Sequence, residues 1–469
     1  MQVIVRLSIV VFVSACGASS GPPGGDGGGG GLDGGDRADG ALPPRDGGGT
    51  ALDAGTDARI DRVAFCMGQG PAVIVGDATA STDTCAGAIA SRVFSNSICS
   101  CTDANVAGYM RTRSFDSGMG MSDTAAGAPV GINRDYTTGG YADVGGTFTV
   151  AGGMGVRFAG YLEVGGDARF GGDVNAISYI RVRRDLWVQG NVTNVGLLTI
   201  DGDLHQPSGR TLATIPDIDG STIRTPFTID PPCACAAADL VDIDAIVRHA
   251  AIENDNADVG LDPSLLSQVA GLGVDITLPC GRYYLSSIGG LGSITVHVPG
   301  RTALFVDGDV NALGVFDIDL GPEGELDMFV RGNLLSIGAG SYGDRSRAAA
   351  TRIYVGGTGD VTLVGASGFV GNVYAPRARV TAVGATTVYG SLFGRAIDMP
   401  GYLDVHYDRA ILEVDRDCPP PDACGCGAGE GCTDHRACIG GACAACTSDN
   451  DCCAPLVCHS NGTCGSLLF

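Results

Sequence analysis

Cysteines, carboxylates and histidines are the side chains of this chain that could do chemistry: 19 Cys, 52 Asp plus Glu and 6 His among 469 residues. The cysteines fall into two groups. Cys66, Cys85, Cys99, Cys101, Cys233, Cys235 and Cys280 are spread through the body, whereas Cys418, Cys424, Cys426, Cys432, Cys438, Cys443, Cys446, Cys452, Cys453, Cys458 and Cys464 crowd the C-terminal end. Structural zinc sites use closely spaced Cys pairs, and only Cys443 and Cys446 fit that spacing well. The remaining spacings favour disulfides, formed in an oxidising compartment. No metal and no cofactor is therefore assigned. Cys99-x-Cys101 and Cys233-x-Cys235 suit each other, and Cys66 with Cys85 would close a local loop. With Cys16 set aside, the body holds seven cysteines and the tail eleven. Both counts are odd, so complete pairing needs a bridge between them, with Cys280 and Cys418 as the expected partners.

Asp307, Asp309, Asp317, Asp319 and Asp327 lie close in sequence. On a β-helix such a set could serve a polysaccharide lyase or hydrolase, which needs a basic residue beside a bound metal or an acid/base pair. The chain has only 29 Lys plus Arg, and no acidic-basic cluster recurs on one strand face. Asp-Gly is also a common turn dipeptide, so these aspartates read as turn residues. His406, between Val405 and Tyr407 on a strand, reads as structural. The Gly-x-Gly-x-x-Gly strings open no helix after a strand, so a dinucleotide site is unsupported. No catalytic residue is assigned, and the chain reads as non-enzymatic.

The elements that would position these residues are short and repetitive. Tyr141-Ala-Asp-Val, Tyr161-Leu-Glu-Val, Tyr179-Ile-Arg-Val and Leu197-Leu-Thr-Ile begin 20, 18 and 18 residues apart. Apolar and polar residues alternate within each, the period-two pattern of a strand. Gly, Asn and Asp punctuate the intervals. Self-similarity at a fixed period marks a solenoid, in which each coil buries its apolar side only by stacking on the next. Val164, Val182 and Ile200 occupy equivalent places and should form one internal ladder. The motif resumes at Ala303-Leu-Phe-Val, Asp327-Met-Phe-Val and Arg352-Ile-Tyr-Val, then more loosely at Gly371, Val388 and Tyr402. Between the two runs, about 205–285, Leu240, Ile243, Val247, Ala250 and Ala251 follow a helical spacing, with Asp239 as cap. That insertion should pack laterally on the solenoid. Residues 61–140, with strands expected at 63–66 and 72–76, should cap it. The expected fold is mainly β: a parallel β-helix over 141–417 with a helical insertion, followed by a small disulfide-rich module over 418–469, too small to hold itself without staples.

The N-terminus carries an export signal. Arg6 precedes the apolar run Leu7–Val13, which is too short to span a bilayer. Val13-Ser14-Ala15-Cys16 fits the lipobox of bacterial lipoproteins, making Cys16 the lipidated residue. Gly17, where an Asp would signal inner-membrane retention, points to the outer membrane, at the cell surface or its periplasmic face. Residues 17–60 are rich in Gly and Asp and read as a flexible tether. The net charge of −23 repels phosphate backbones, so nucleic acid is not an expected partner. The membrane is reached through the lipid anchor, and a surface polysaccharide or an envelope protein is the expected contact.

Leu278-Pro-Cys-Gly-Arg-Tyr-Tyr-Leu285, Arg301-Thr-Ala-Leu-Phe-Val-Asp-Gly-Asp309, Gly371-Asn-Val-Tyr-Ala-Pro376 and Val405-His-Tyr-Asp408 carry a resemblance over about 230–412. That span resembles an uncharacterised bacterial surface domain found in exported lipoproteins and some pilus-associated proteins, and the repeats look like bactofilins. The run from Cys446 to Cys464 resembles the spacing of cystine-knot miniproteins. These likenesses imply a fold and a location but no reaction. The expected role is a rigid structural or adhesive platform presenting the disulfide-rich module. The alternatives are a carbohydrate-active β-helix enzyme and a self-assembling envelope scaffold.

Overall fold

In the computed structural model the described residues are 65–66, 73–75, 82–84, 86–124, 127–194, 196–213, 215–271, 273–335, 342–364, 368–414, 437–439, 442–447, 457–458 and 464–465. The expected signal, tether, Cys16, Cys85 and most of the tail, including Cys418, Cys424, Cys426, Cys432, Cys452 and Cys453, lie outside them.

Between the turns the chain winds as a three-sided parallel β-helix. One coil is built from Phe148–Val150, Val156–Phe158 and Tyr161–Val164, and the next from Ala168–Phe170, Val174–Ala176 and Ile180–Val182. Alternating residues turn inward, so the period-two pattern becomes alternating burial. Val144 pairs with Val164, Val164 with Val182 and Val182 with Ile200. All four are fully buried, which makes the expected apolar ladder. Turn carboxylates and amides join the coils: Asp173 accepts from the Asn191 amide at 2.7 Å, Asp185 from Asp203 at 2.8 Å, and Asp309 from Asn333 at 2.7 Å. Each of these turn aspartates thus satisfies a backbone donor of the neighbouring coil, in keeping with the turn reading of Asp309.

The order of coils departs from the order of the chain. Ile98–Ser100 pairs on one edge with Val130–Ile132 and on the other with Leu392–Gly394. Ala104–Val106 and Tyr109–Asp116 are likewise sandwiched between an N-terminal strand and a C-terminal one. Residues 98–116 are therefore not the expected cap. They form a central coil. From there the chain winds to one end at Asp217–Ile218 and Thr222–Ile223, crosses back along the outside, restarts near Val274–Thr277 and winds in again until Tyr402–Asp408 docks on Tyr109–Asp116. The expected interruption at 205–285 shrinks to a traverse of about 224–273, because its ends are solenoid strands. Periodicity could not reveal this order, since every parallel edge presents the same hydrogen-bonding row.

The traverse covers one outer face, as expected of the insertion. Phe227 meets Trp187 edge-on, with ring centroids 5.1 Å apart. Cys233 and Cys235 are bonded to Cys99 and Cys101, and the Val241 amide donates to the Tyr374 hydroxyl at 3.2 Å. Helix α2 (Ile243–Ala250) then lays Ile243, Ile246, Val247 and Ala250 over an aromatic column that includes Phe305, Phe329 and Tyr354. Its cap is Asp242, which accepts from the Ala245 amide at 3.0 Å. The expected cap Asp239 lies one turn too early, because Val241 is held by Tyr374 before the helix starts. Helix α1 (Ala86–Val93) packs beside the turn Arg409–Glu413. Phe65 and Cys66 are helical rather than extended, and Val73–Val75 is a strand. Cys66 is bonded to Cys280, which replaces the expected Cys66–Cys85 and Cys280–Cys418 pairs. Cys280 follows the end of the traverse, and its Cα lies 5.7 Å from that of Cys66. Among the described residues no helix is long and apolar enough to cross a membrane.

Candidate functional site

The outer face formed by Tyr402–Asp408, Tyr109–Asp116, Tyr141–Val144, Tyr161–Val164, Ile180–Val182 and Leu198–Ile200 carries the densest ordered chemistry. Tyr402, Tyr109, Tyr141, Tyr161 and Tyr179 stack in one column, with centroid steps of 4.9, 4.9, 4.7 and 4.6 Å. Equivalent residues on in-register strands stand about 4.8 Å apart, close to the stacking distance of aromatic rings. Small residues make the approach possible. A Cβ on Gly160 would come within 1.6 Å of the Gly140 carbonyl oxygen, so no larger residue fits before Tyr161.

Two residues along each strand lies a charged column: Asp404, Arg111, Asp143, Glu163 and Arg181. Arg111 grips Asp404 with two hydrogen bonds, Nε reaching Oδ1 at 2.9 Å. Arg183 Nε donates to Glu163 at 3.0 Å, and Arg181 to Asp201 at 3.3 Å. Burial alone would raise the Asp404 carboxyl, but hydrogen bonds from Arg111 and His406, with their charges, hold it well below the usual carboxylate range. Asp143 is raised, first by burial and then by the Glu163 charge. Burial and neighbouring carboxylates push the Tyr141 and Tyr161 phenols up to about 12. Tyr141 and Tyr161 therefore stay neutral and keep their hydroxyl protons over the physiological range. Such a face offers repeated O–H donors beside paired charges, which suits recognition of a polar, extended ligand.

The aspartates weighed as a lyase set are dispersed. Asp307 pairs with Arg331, Asp309 caps a neighbouring turn, and Asp319 contacts His297 Nδ1 at 2.9 Å. Asp317 shares the strand Phe316–Leu320 with Asp319. Asp327 is buried and receives two hydrogen bonds from Arg352, at 2.6 and 2.9 Å. His406 lies on the tyrosine face, 3.4 Å from Asp404 and stacked on Tyr389 at 4.7 Å. A cleft of about 340 Å³ opens beside the traverse, floored by Gly171, Gly172 and Gly190 and bounded by Asp173, Arg210 and Phe227. Its carboxylate, Asp173, already accepts from Asn191. Among the described residues Asp185, Asp203 and His205 bring three metal-ligating atoms together.

The repeat pattern in the sequence takes in Tyr141, Tyr161, Tyr179 and, more loosely, Tyr402, but not Tyr109. Tyr-x-Asp/Glu-Val is shared by Tyr141, Tyr161 and Tyr402, Tyr179 has Arg181 at the third place, and Tyr109-Met-Arg-Thr departs from the motif; what the sequence lacked was the coil order. In the tail, Cys438 lies opposite Cys443 and Cys458 opposite Cys464 in short antiparallel hairpins, and Cys446 is disulfide-bonded.

Residues 236–414 match a family model described as a domain of unknown function, DUF7305. No curated protein and no solved structure matches the chain. The matched span takes in α2 and the C-terminal winding, and ends just after the strand whose free edge Tyr109–Asp116 occupies here.

Proposed function

We propose that the protein is a non-enzymatic, exported lipoprotein, anchored through Cys16 in the outer membrane, whose β-helix is a stiff platform presenting the 418–469 module and holding a surface polysaccharide on its tyrosine face. The observation that carries this reading is the five-ring tyrosine column with its paired charges. Asp404, Asp143, Glu163 and Asp201 balance Arg111, Arg113, Arg181 and Arg183, so this face has no net charge, in a chain of −23. An uncharged or weakly anionic glycan can approach there without the repulsion it would meet elsewhere. Phenol hydroxyls and charged groups then hydrogen-bond its hydroxyls. The paired body cysteines suit an oxidising compartment, and two or more acyl chains on Cys16 would give stable anchoring. The test has two parts. Cys16→Ser should move the protein to soluble fractions, and pelleting of the variant with membranes in high salt would refute the anchor. Tyr141→Ala with Tyr161→Ala should abolish retention on polysaccharide from the producing cell's envelope, and undiminished retention would refute the face.

A further inference from the structure

We propose that Asp185, Asp203 and His205 form a binding site for a divalent first-row transition-metal ion that clamps the terminal coil of the N-terminal winding. Asp185 and Asp203 occupy the same turn position in neighbouring coils. Each carboxylate spends one oxygen on the backbone: Asp185 Oδ1 accepts from the Asp203 amide at 2.8 Å, and Asp203 Oδ1 from the Ser221 amide at 2.7 Å. Those bonds fix the carboxylates as outer-shell partners fix metal ligands. Toward them points His205, only 9% exposed. Among the described residues its ring makes no hydrogen bond; its nearest charged contact is Nε2 to Asp185 Oδ2 at 4.0 Å. That gap exceeds a hydrogen bond, yet two ligands each about 2.0–2.2 Å from one ion can stand that far apart. One ligand atom from each of the three residues lies within 4.8 Å of the others.

The ring is also held for the purpose. Trp187 stacks face to face on His205, 3.4 Å between centroids, and Phe227 backs Trp187 edge-on. The neighbouring cation Arg224 is engaged with Gln206 at 2.5 Å, and so does not compete for the carboxylates through that bond. One imidazole and two carboxylates suit zinc, nickel, cobalt or copper, whereas calcium prefers oxygen alone. Water would complete the coordination. The location supplies a reason for an ion. Leu204–His205 lies one strand from this end: Thr222–Ile223 stacks on it, and among the described residues no further coil stacks on Thr222–Ile223. A metal bridging the two turns would staple that end as disulfides staple the middle.

Trp187 is the only tryptophan of the chain, so its fluorescence reports this site alone. The full-length protein, stripped with EDTA, is titrated with Ni²⁺ or Cu²⁺. Saturable quenching at one equivalent is expected, reversed by EDTA and competed by Zn²⁺, with Zn²⁺ also raising the melting temperature. Asp203→Asn keeps the backbone acceptor but loses the charge, and should weaken the metal about tenfold or more; His205→Gln should abolish the quenching. Absence of saturable quenching in the native protein, or equal quenching in Asp203→Asn, overturns the proposal. The Asn variant keeps its place in the turn ladder, so melting as sharply as the native protein shows that its result reports binding and not misfolding.

Discussion

Removing the paired staples Cys99–Cys233 and Cys101–Cys235 should cost far more together than their separate losses suggest. Each closes the same loop, with a sequence separation of 134 residues. In the chain-entropy relation, closing such a loop stabilises by about 5 kcal/mol. While one bridge remains, however, the second closes only the small ring of residues 99–101 and 233–235, for which the same relation yields about 2 kcal/mol. The pair Cys99→Ala with Cys233→Ala, or Cys101→Ala with Cys235→Ala, should thus lose about 2 kcal/mol, and the fourfold variant about 7 kcal/mol. The excess over simple addition, about 3 kcal/mol, is the signature of a shared loop. Urea unfolding followed by far-ultraviolet circular dichroism measures all three. Losses that add, or a single-bridge loss near 5 kcal/mol, would refute the reasoning, because they would mean that the traverse is held to the central coil independently of the first bridge.

Other outcomes follow from the same geometry. Val182→Asp puts an unpaired charge into the ladder between Val164 and Ile200 and should prevent folding, whereas Val182→Ala should cost about 2 kcal/mol; soluble, fully folded Val182→Asp protein would contradict the register. Asp327→Asn removes the buried carboxylate of the two that hold the Arg352 guanidinium, leaving it only the half-exposed Glu325 at 3.1 Å, and should lose about 3 kcal/mol in thermal or urea unfolding. His297 sits between Asp275 at 2.8 Å and Asp319 at 2.9 Å, and its pKa is raised, chiefly by the Asp319 hydrogen bond. Protonation is therefore favoured in the folded state, so the stabilisation is complete below the unfolded value of about 6.5 and fades as pH rises through the higher folded value. Native melting temperature should fall across that window relative to His297→Gln, and parallel curves would rule the contact out. Three body disulfides use Cys66, Cys99, Cys101, Cys233, Cys235 and Cys280, leaving Cys85 as the odd body cysteine. Peptide mapping without reduction should find Cys85 joined to a tail cysteine, and a free Cys85 thiol would end the parity argument.

Local pattern alone determined a good deal. Alternation in Tyr161-Leu-Glu-Val and its relatives specified short strands with Val164, Val182 and Ile200 inward, because a one-residue slip would turn every apolar side chain outward. Matching Cys-x-Cys spacings pointed to the two parallel bridges, and the spacing of Ile243, Val247 and Ala250 specified a covering helix. Only the tertiary structure decided which coil stacks on which. A parallel strand edge carries the same row of N–H and C=O groups whatever its sequence, so nothing local tells Leu392–Gly394 to pair with Ile98–Ser100 rather than to end the solenoid. That choice rests on the traverse, which brings Cys233 to Cys99 and the later winding back to the middle. It is also what joins Tyr402 to Tyr109 and makes one continuous column from tyrosines nearly three hundred residues apart.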